Sequence, residues 1–122
     1  MQGFTPYALL MVAAGGALGA VLRYAVSLAG LALFGAGFPW GTLVVNILGS
    51  LAIGALAAQG VGGHVRLLLV PGLLGGFTTF SAFSLEATFL WDRSAPLAVL
   101  YVVLSVGLSL AACVAGFWLF RR

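Results

Sequence analysis

Residues Gly75-Gly76-Phe77-Thr78-Thr79-Phe80-Ser81-Ala82-Phe83 place two adjacent glycines and three hydroxyls inside an apolar stretch over 66–91 that is otherwise long enough to cross a bilayer. Hydrocarbon offers no water to main-chain N–H and C=O groups. A broken, polar segment at that depth therefore survives only where protein buries it or where it lines a watery path. The segment points to permeation or ion binding.

The rest of the chain agrees with a membrane setting. Hydrophobic residues make up 63% and charged residues 6%, with a mean hydropathy of +1.23, where soluble domains approach a quarter charged. At about 20 apolar residues per crossing, the length suits about four spans with short connections and no extramembrane domain. Glycines, prolines and charges collect at Phe34-Gly35-Ala36-Gly37-Phe38-Pro39, Gly60-Val61-Gly62-Gly63-His64 and Asp92-Arg93-Ser94-Ala95-Pro96. Spans are thus expected over 7–33, 40–59, 66–91 and 96–120, with Tyr7, Trp40, Trp91 and Trp118 near their ends as interfacial aromatics. The expected fold is an all-α membrane protein, a single four-helix transmembrane domain over 1–122 with a broken third helix. No Lys or Arg precedes Arg23, so the basic start of a signal peptide is missing and the first span is expected to be retained. The expected location is the cell membrane, crossed several times.

Orientation rests on five arginines. Four spans put both termini on one side with Arg66, Arg121 and Arg122, leaving Arg93 and Arg23 toward the other. So small a bias fits either one fixed orientation or insertion both ways, the latter making an antiparallel dimer. The same arginines form no basic stripe, so no nucleic-acid partner is expected. Catalysis finds no support, because His64, Glu86 and Asp92 are the whole inventory of His and acids and form no triad or metal-ligand cluster. Cys113 stands alone, as a small hydrophobe in the fourth span.

Polar residues within the spans recur at helical spacing. Thr42, Asn46 and Ser50 share one face of the second span, and Tyr101, Ser105 and Ser109 share one face of the fourth. A mid-span amide needs a partner: Asn46 serves either as an interhelical hydrogen bond or as two N–H donors to an anion. Together the stripes suggest a lined path. Phe77, Phe80 and Phe83 recur every three residues. They either pack against core and lipid or turn their electropositive edges toward an anion. Unwinding at Gly75-Gly76 and Thr78-Thr79 would also free main-chain carbonyls, the hard oxygen ligands that alkali cations take.

Gly41-Thr42-Leu43-Val44-Val45-Asn46-Ile47-Leu48-Gly49-Ser50 and the Gly75–Phe83 run resemble the signatures of the Fluc (CrcB) fluoride channels, and Gly15-Gly16-Ala17-Leu18-Gly19-Ala20-Val21-Leu22-Arg23-Tyr24 resembles that family's first-span signature. The likeness covers all four spans in order. It implies a dual-topology antiparallel homodimer in the lipid bilayer that passes fluoride passively and lowers its cytoplasmic concentration. By position, Asn46 resembles the pore asparagine, and Phe80 and Phe83 the phenylalanines whose edges line the fluoride track. Thr42, Thr79, Ser105, Ser109 and Tyr101 supply hydroxyls to the same track. The resemblance further implies a structural sodium ion held at the dimer centre by the Gly75 and Thr78 carbonyls. Arg23 and Glu86 take vestibule positions, Glu86 standing about 8 Å from the end of its span by helical rise. Position 82 is Ala where the family more often has Thr, which removes one hydroxyl.

Two other classes compete. A small drug–proton antiporter also uses four short spans, but it needs a buried carboxylate in span 1, and both acids here, Glu86 and Asp92, lie beyond it. A noncatalytic assembly subunit would use the pairs Gly15/Gly19, Gly16/Ala20, Gly72/Gly76 and Ala112/Gly116 only for packing.

Overall fold

The computed structural model describes residues 4–121; Arg122, counted above in the charge balance, lies outside the described residues. Four helical spans cross the molecule, at Pro6–Phe34, Trp40–Gln59, Gly63–Arg93 and Ala95–Leu119, and no strand occurs among the described residues. The chain is a multi-pass, all-helical membrane protein.

Local chemistry sets the ends. Helix α1 (Pro6–Phe34) begins where Thr5 Oγ1 accepts the Ala8 N–H at 3.0 Å, with Pro6 preset for the first turn. Helix α2 (Trp40–Gln59) stops at Gly60, whose φ of +68° is the left-handed conformation that closes a helix. Ser94 serves two helices. Its N–H donates to Leu90 C=O at 2.7 Å, ending one, and its Oγ accepts Leu97 N–H at 3.4 Å, starting the next.

The third span starts three residues earlier than the expected 66, because glycines at 60 and 63, both at positive φ, complete the reversal in a tight turn. His64 accordingly sits in the first helical turn, edge-on to the Tyr7 ring at 4.4 Å. The span comprises α3 (Gly63–Leu67), a π-helical stretch Leu68–Leu74, α4 (Gly75–Phe77) and α5 (Ser81–Arg93). Pro71 explains the π-helix, since it has no N–H to offer Leu67 C=O and its ring would strike that carbonyl in an α-helix. The fourth span is α6 (Ala95–Leu119).

A small core of Leu43, Phe83, Leu90, Ala98 and Tyr101 joins α2, α5 and α6. Where α1 meets the third span, backbone touches backbone instead. A methyl group on Gly76 would lie 2.5 Å from Gly16 O and 3.0 Å from its Cα, so only glycine permits the approach. Most large apolar side chains, among them Leu10, Val21, Val103 and Leu110, face outward as lipid contact requires.

Candidate permeation site

Helix α4 ends because Thr78 turns extended, with φ −82° and ψ 156°. Its N–H and its Oγ1 both donate to Leu74 C=O, at 3.0 and 2.9 Å. Both main-chain groups of the next residue are held from α2. Asn46 Oδ1 accepts the Thr79 N–H at 2.9 Å, and Asn46 Nδ2 donates to Thr79 C=O at 3.0 Å. Thr79 Oγ1 then accepts the Ala82 N–H at 3.1 Å and so caps α5. From the other side, Arg23 Nε on α1 donates to Gly76 C=O at 3.1 Å.

These bonds sort the carbonyls of the break into two kinds. In an unbroken helix, Thr79 N–H would serve Gly75 C=O and Ala82 N–H would serve Thr78 C=O. Both donors are diverted, the first to Asn46 and the second to Thr79 Oγ1. Gly75 and Thr78 thus lose their helical donors, while Gly76 and Thr79 gain side-chain donors from Arg23 and Asn46. Phe77 C=O loses its helical donor as well, since Ser81 starts α5 beyond the extended Thr78.

Beside the break lies a cavity of about 300 Å³. Helix α2 lines it with Asn46 and Ser50, the break with Thr79, Phe80 and Phe83, and α6 with Ser105 and Ser109. The Ser105 and Ser109 hydroxyls are buried and make no hydrogen bond to any described residue. Buried hydroxyls are normally paired, so these two are set to donate to whatever occupies the cavity. The rings of Phe80 and Phe83 stand 5.5 Å apart at 52°. Phe83 is buried, whereas Phe80 is 76% exposed.

Thr42, Glu86 and Tyr101 fall elsewhere. Thr42 and Glu86 line a second cavity of about 360 Å³ together with Phe38 and Arg93. The Arg93 side chain, missed in the sequence, donates to Gly37 C=O at 3.1 Å. Tyr101 is fully buried and touches residues of both cavities. Its hydroxyl donates to Glu86 Oε1 at 3.2 Å, and its ring stands 5.3 Å from Phe38 and 5.2 Å from Phe83. The Thr42 and Ser105 hydroxyls lie near the phenol, although Ser105 Oγ makes no bond of normal geometry. Arg23 lines neither of these two cavities; its Nε donates to the break.

The family model of CrcB-like proteins (Camphor Resistance, CrcB) matches residues 10–117, a range that holds the break, both polar stripes and the lining of both cavities. The chain belongs to the CrcB family. A CrcB relative from Chelativorans sp. (strain BNC1), named fluoride-specific ion channel FluC, is 53% identical over 122 residues, covering 94% of this chain and 97% of the relative. Proteins of the same name from Rhizobium johnstonii and Cereibacter sphaeroides (strain ATCC 17029) are 49% and 52% identical over 118 and 111 residues, covering 92% and 88% of this chain and 94% and 90% of theirs. All three CrcB relatives are named as channels, not as enzymes. The CrcB match runs from before Arg23 to beyond Ser109 and so includes every residue placed above except those of the extreme ends.

Proposed function

We propose that this chain forms a fluoride-selective channel through which fluoride leaves the cell passively, lowering its cytoplasmic concentration. The observation that carries the reading is the pair of buried, unpartnered hydroxyls, Ser105 and Ser109, in one cavity with Asn46 and the rings of Phe80 and Phe83. Fluoride must shed a tight water shell in a narrow path. Several weak, oriented donors replace that shell without trapping the ion as an arginine would. The candidates are the two serine hydroxyls, the Asn46 N–H not engaged by Thr79, and the electropositive ring edges. The names of the relatives support fluoride as the ion.

The functional unit in this reading is an antiparallel homodimer. Gly75, Phe80 and Ser81 are exposed on a single chain although they lie near the middle of the third span. Lipid cannot satisfy main-chain groups there. A second copy, inverted as the nearly balanced arginines permit, covers them. The freed Gly75 and Thr78 carbonyls fit a hard alkali cation, and these residues would hold the structural sodium. Bound there, sodium would neutralise carbonyl dipoles of both copies and add positive potential near the path.

The test is fluoride efflux from liposomes containing only this purified chain, with chloride as comparison and sodium as variable. Rapid electrogenic efflux of fluoride but not chloride is expected. Absence of efflux from folded dimer would reduce the family likeness to fold alone.

A further inference from the structure

We propose that Arg23 is a positioning residue that sets which carbonyls of the broken span stay open, a role separate from drawing anions to a vestibule. Arg23 stands about 25 Å from the start of α1 and about 17 Å from its end by helical rise, well inside the span. A cation at that depth is costly unless it meets a partner. Its partner is not a carboxylate but Gly76 C=O, which accepts from Nε at 3.1 Å.

The sequence of α1 delivers the side chain to that carbonyl. Gly16, Gly19 and Arg23 stand at i, i+3 and i+7 and so share one face. Gly16 lies directly against Gly76, and a methyl on Gly19 would lie 2.8 Å from Phe77 N. With the two backbones in contact, the next turn of α1 brings the guanidinium to the turn of span 3 that the helix leaves open.

Arg23 and Asn46 grip the break from two different helices and cover two of its carbonyls, Gly76 and Thr79. What remains open is Gly75, Phe77 and Thr78, among them the two carbonyls that the sodium reading assigns to the cation. Without Arg23, Gly76 C=O joins the open set and the stretch from Gly76 to Thr79 loses its hold on α1. The consequence for a bound cation rests on the sodium reading above; the bracing of the break does not.

Hydrogen exchange measured by mass spectrometry on the full chain in nanodiscs separates the two. Arg23→Met is expected to speed exchange at Thr78–Ala82 by about fivefold or more while α2 and α6 keep wild-type rates. Rates within about twofold of wild type at the break, with the fold intact, overturn the proposal. Arg23→Gln, which keeps a planar N–H donor but shortens the reach, decides by the same criterion if the Met variant does not fold. A sodium titration of thermal stability, with potassium as control, supplies the second readout: the half-stabilising sodium concentration is expected to shift about threefold or more in the Gln variant, and an unshifted midpoint counts against Arg23 setting the open carbonyls. If wild type shows no sodium-specific stabilisation, the sodium reading fails, and the exchange rates still decide the role of Arg23.

Discussion

Asn46 and Thr79 bind each other through both main-chain groups of one residue: Oδ1 accepts the Thr79 N–H at 2.9 Å while Nδ2 donates to the Thr79 C=O at 3.0 Å. A side-chain amide presents a donor and an acceptor side by side, as a peptide does, so the α2 asparagine stands in for the missing helical turn. This explains why an amide, and not a hydroxyl or a carboxylate, occupies the middle of the stripe.

Asn46→Asp is the sharpest probe of that pairing. The carboxylate still accepts Thr79 N–H but faces Thr79 C=O without a proton to give. A loss of about 1–3 kcal/mol in unfolding free energy and at least about a tenfold drop in fluoride efflux are expected. Chemical denaturation and liposome flux on one preparation check both.

Ser105→Ala and Ser109→Ala are expected to separate stability from transport. Each removes a buried hydroxyl that has no partner among the described residues. Stability should hold or rise by about 1 kcal/mol. Fluoride efflux should fall about fivefold, because a donor to the ion is lost. A stability loss without a flux change would assign the serines to packing.

The two phenylalanines should respond differently. Phe83 is 7% exposed, and Phe83→Ala is expected to lower stability by about 3–5 kcal/mol. Phe80 is 76% exposed in the single chain, so Phe80→Ile should leave its fold intact and act on permeation. Fluoride-to-chloride permeability ratios measured on Phe80→Ile and on the milder Phe83→Ile test the ring edges; ratios equal to wild type would remove that role.

Backbone contact between α1 and the third span predicts unequal glycines. Gly76→Ala drives a methyl to within 2.5 Å of Gly16 O and is expected to destabilise by about 1–3 kcal/mol. Gly107→Ala, with nothing within 4 Å of the new carbon, should stabilise α6 by about 0.5–1 kcal/mol. Thermal unfolding of the two variants in one detergent compares them directly.

Apolar length and loop chemistry suffice to read the four spans from the sequence, because one helix in lipid answers mainly to its own residues. The break was legible for the same reason, since Gly75-Gly76 and Thr78-Thr79 weaken a helix locally. Asn46 announced itself by its cost at mid-span, but its partner lies 33 residues away and no local pattern names it. Arg23 and Gly76, 53 apart, were hidden likewise, and the shared face of Gly16, Gly19 and Arg23 was the available clue. Pro71 was a direct signal of the π-helix, standing in the middle of an apolar run. Arg93 reads as an ordinary charge at a helix end until the α1–α2 connection folds back onto it.

The order in which the chain is made gains a meaning from the break. Its donors reside on α1 and α2, which leave the ribosome before the third span does. When Gly76 and Thr79 enter the membrane, Arg23 and Asn46 are already there to receive their carbonyls, and the weakened helix need not wait in lipid. A rearranged gene that began with the third span would reverse that order and send the break in first, with its protectors still unsynthesised.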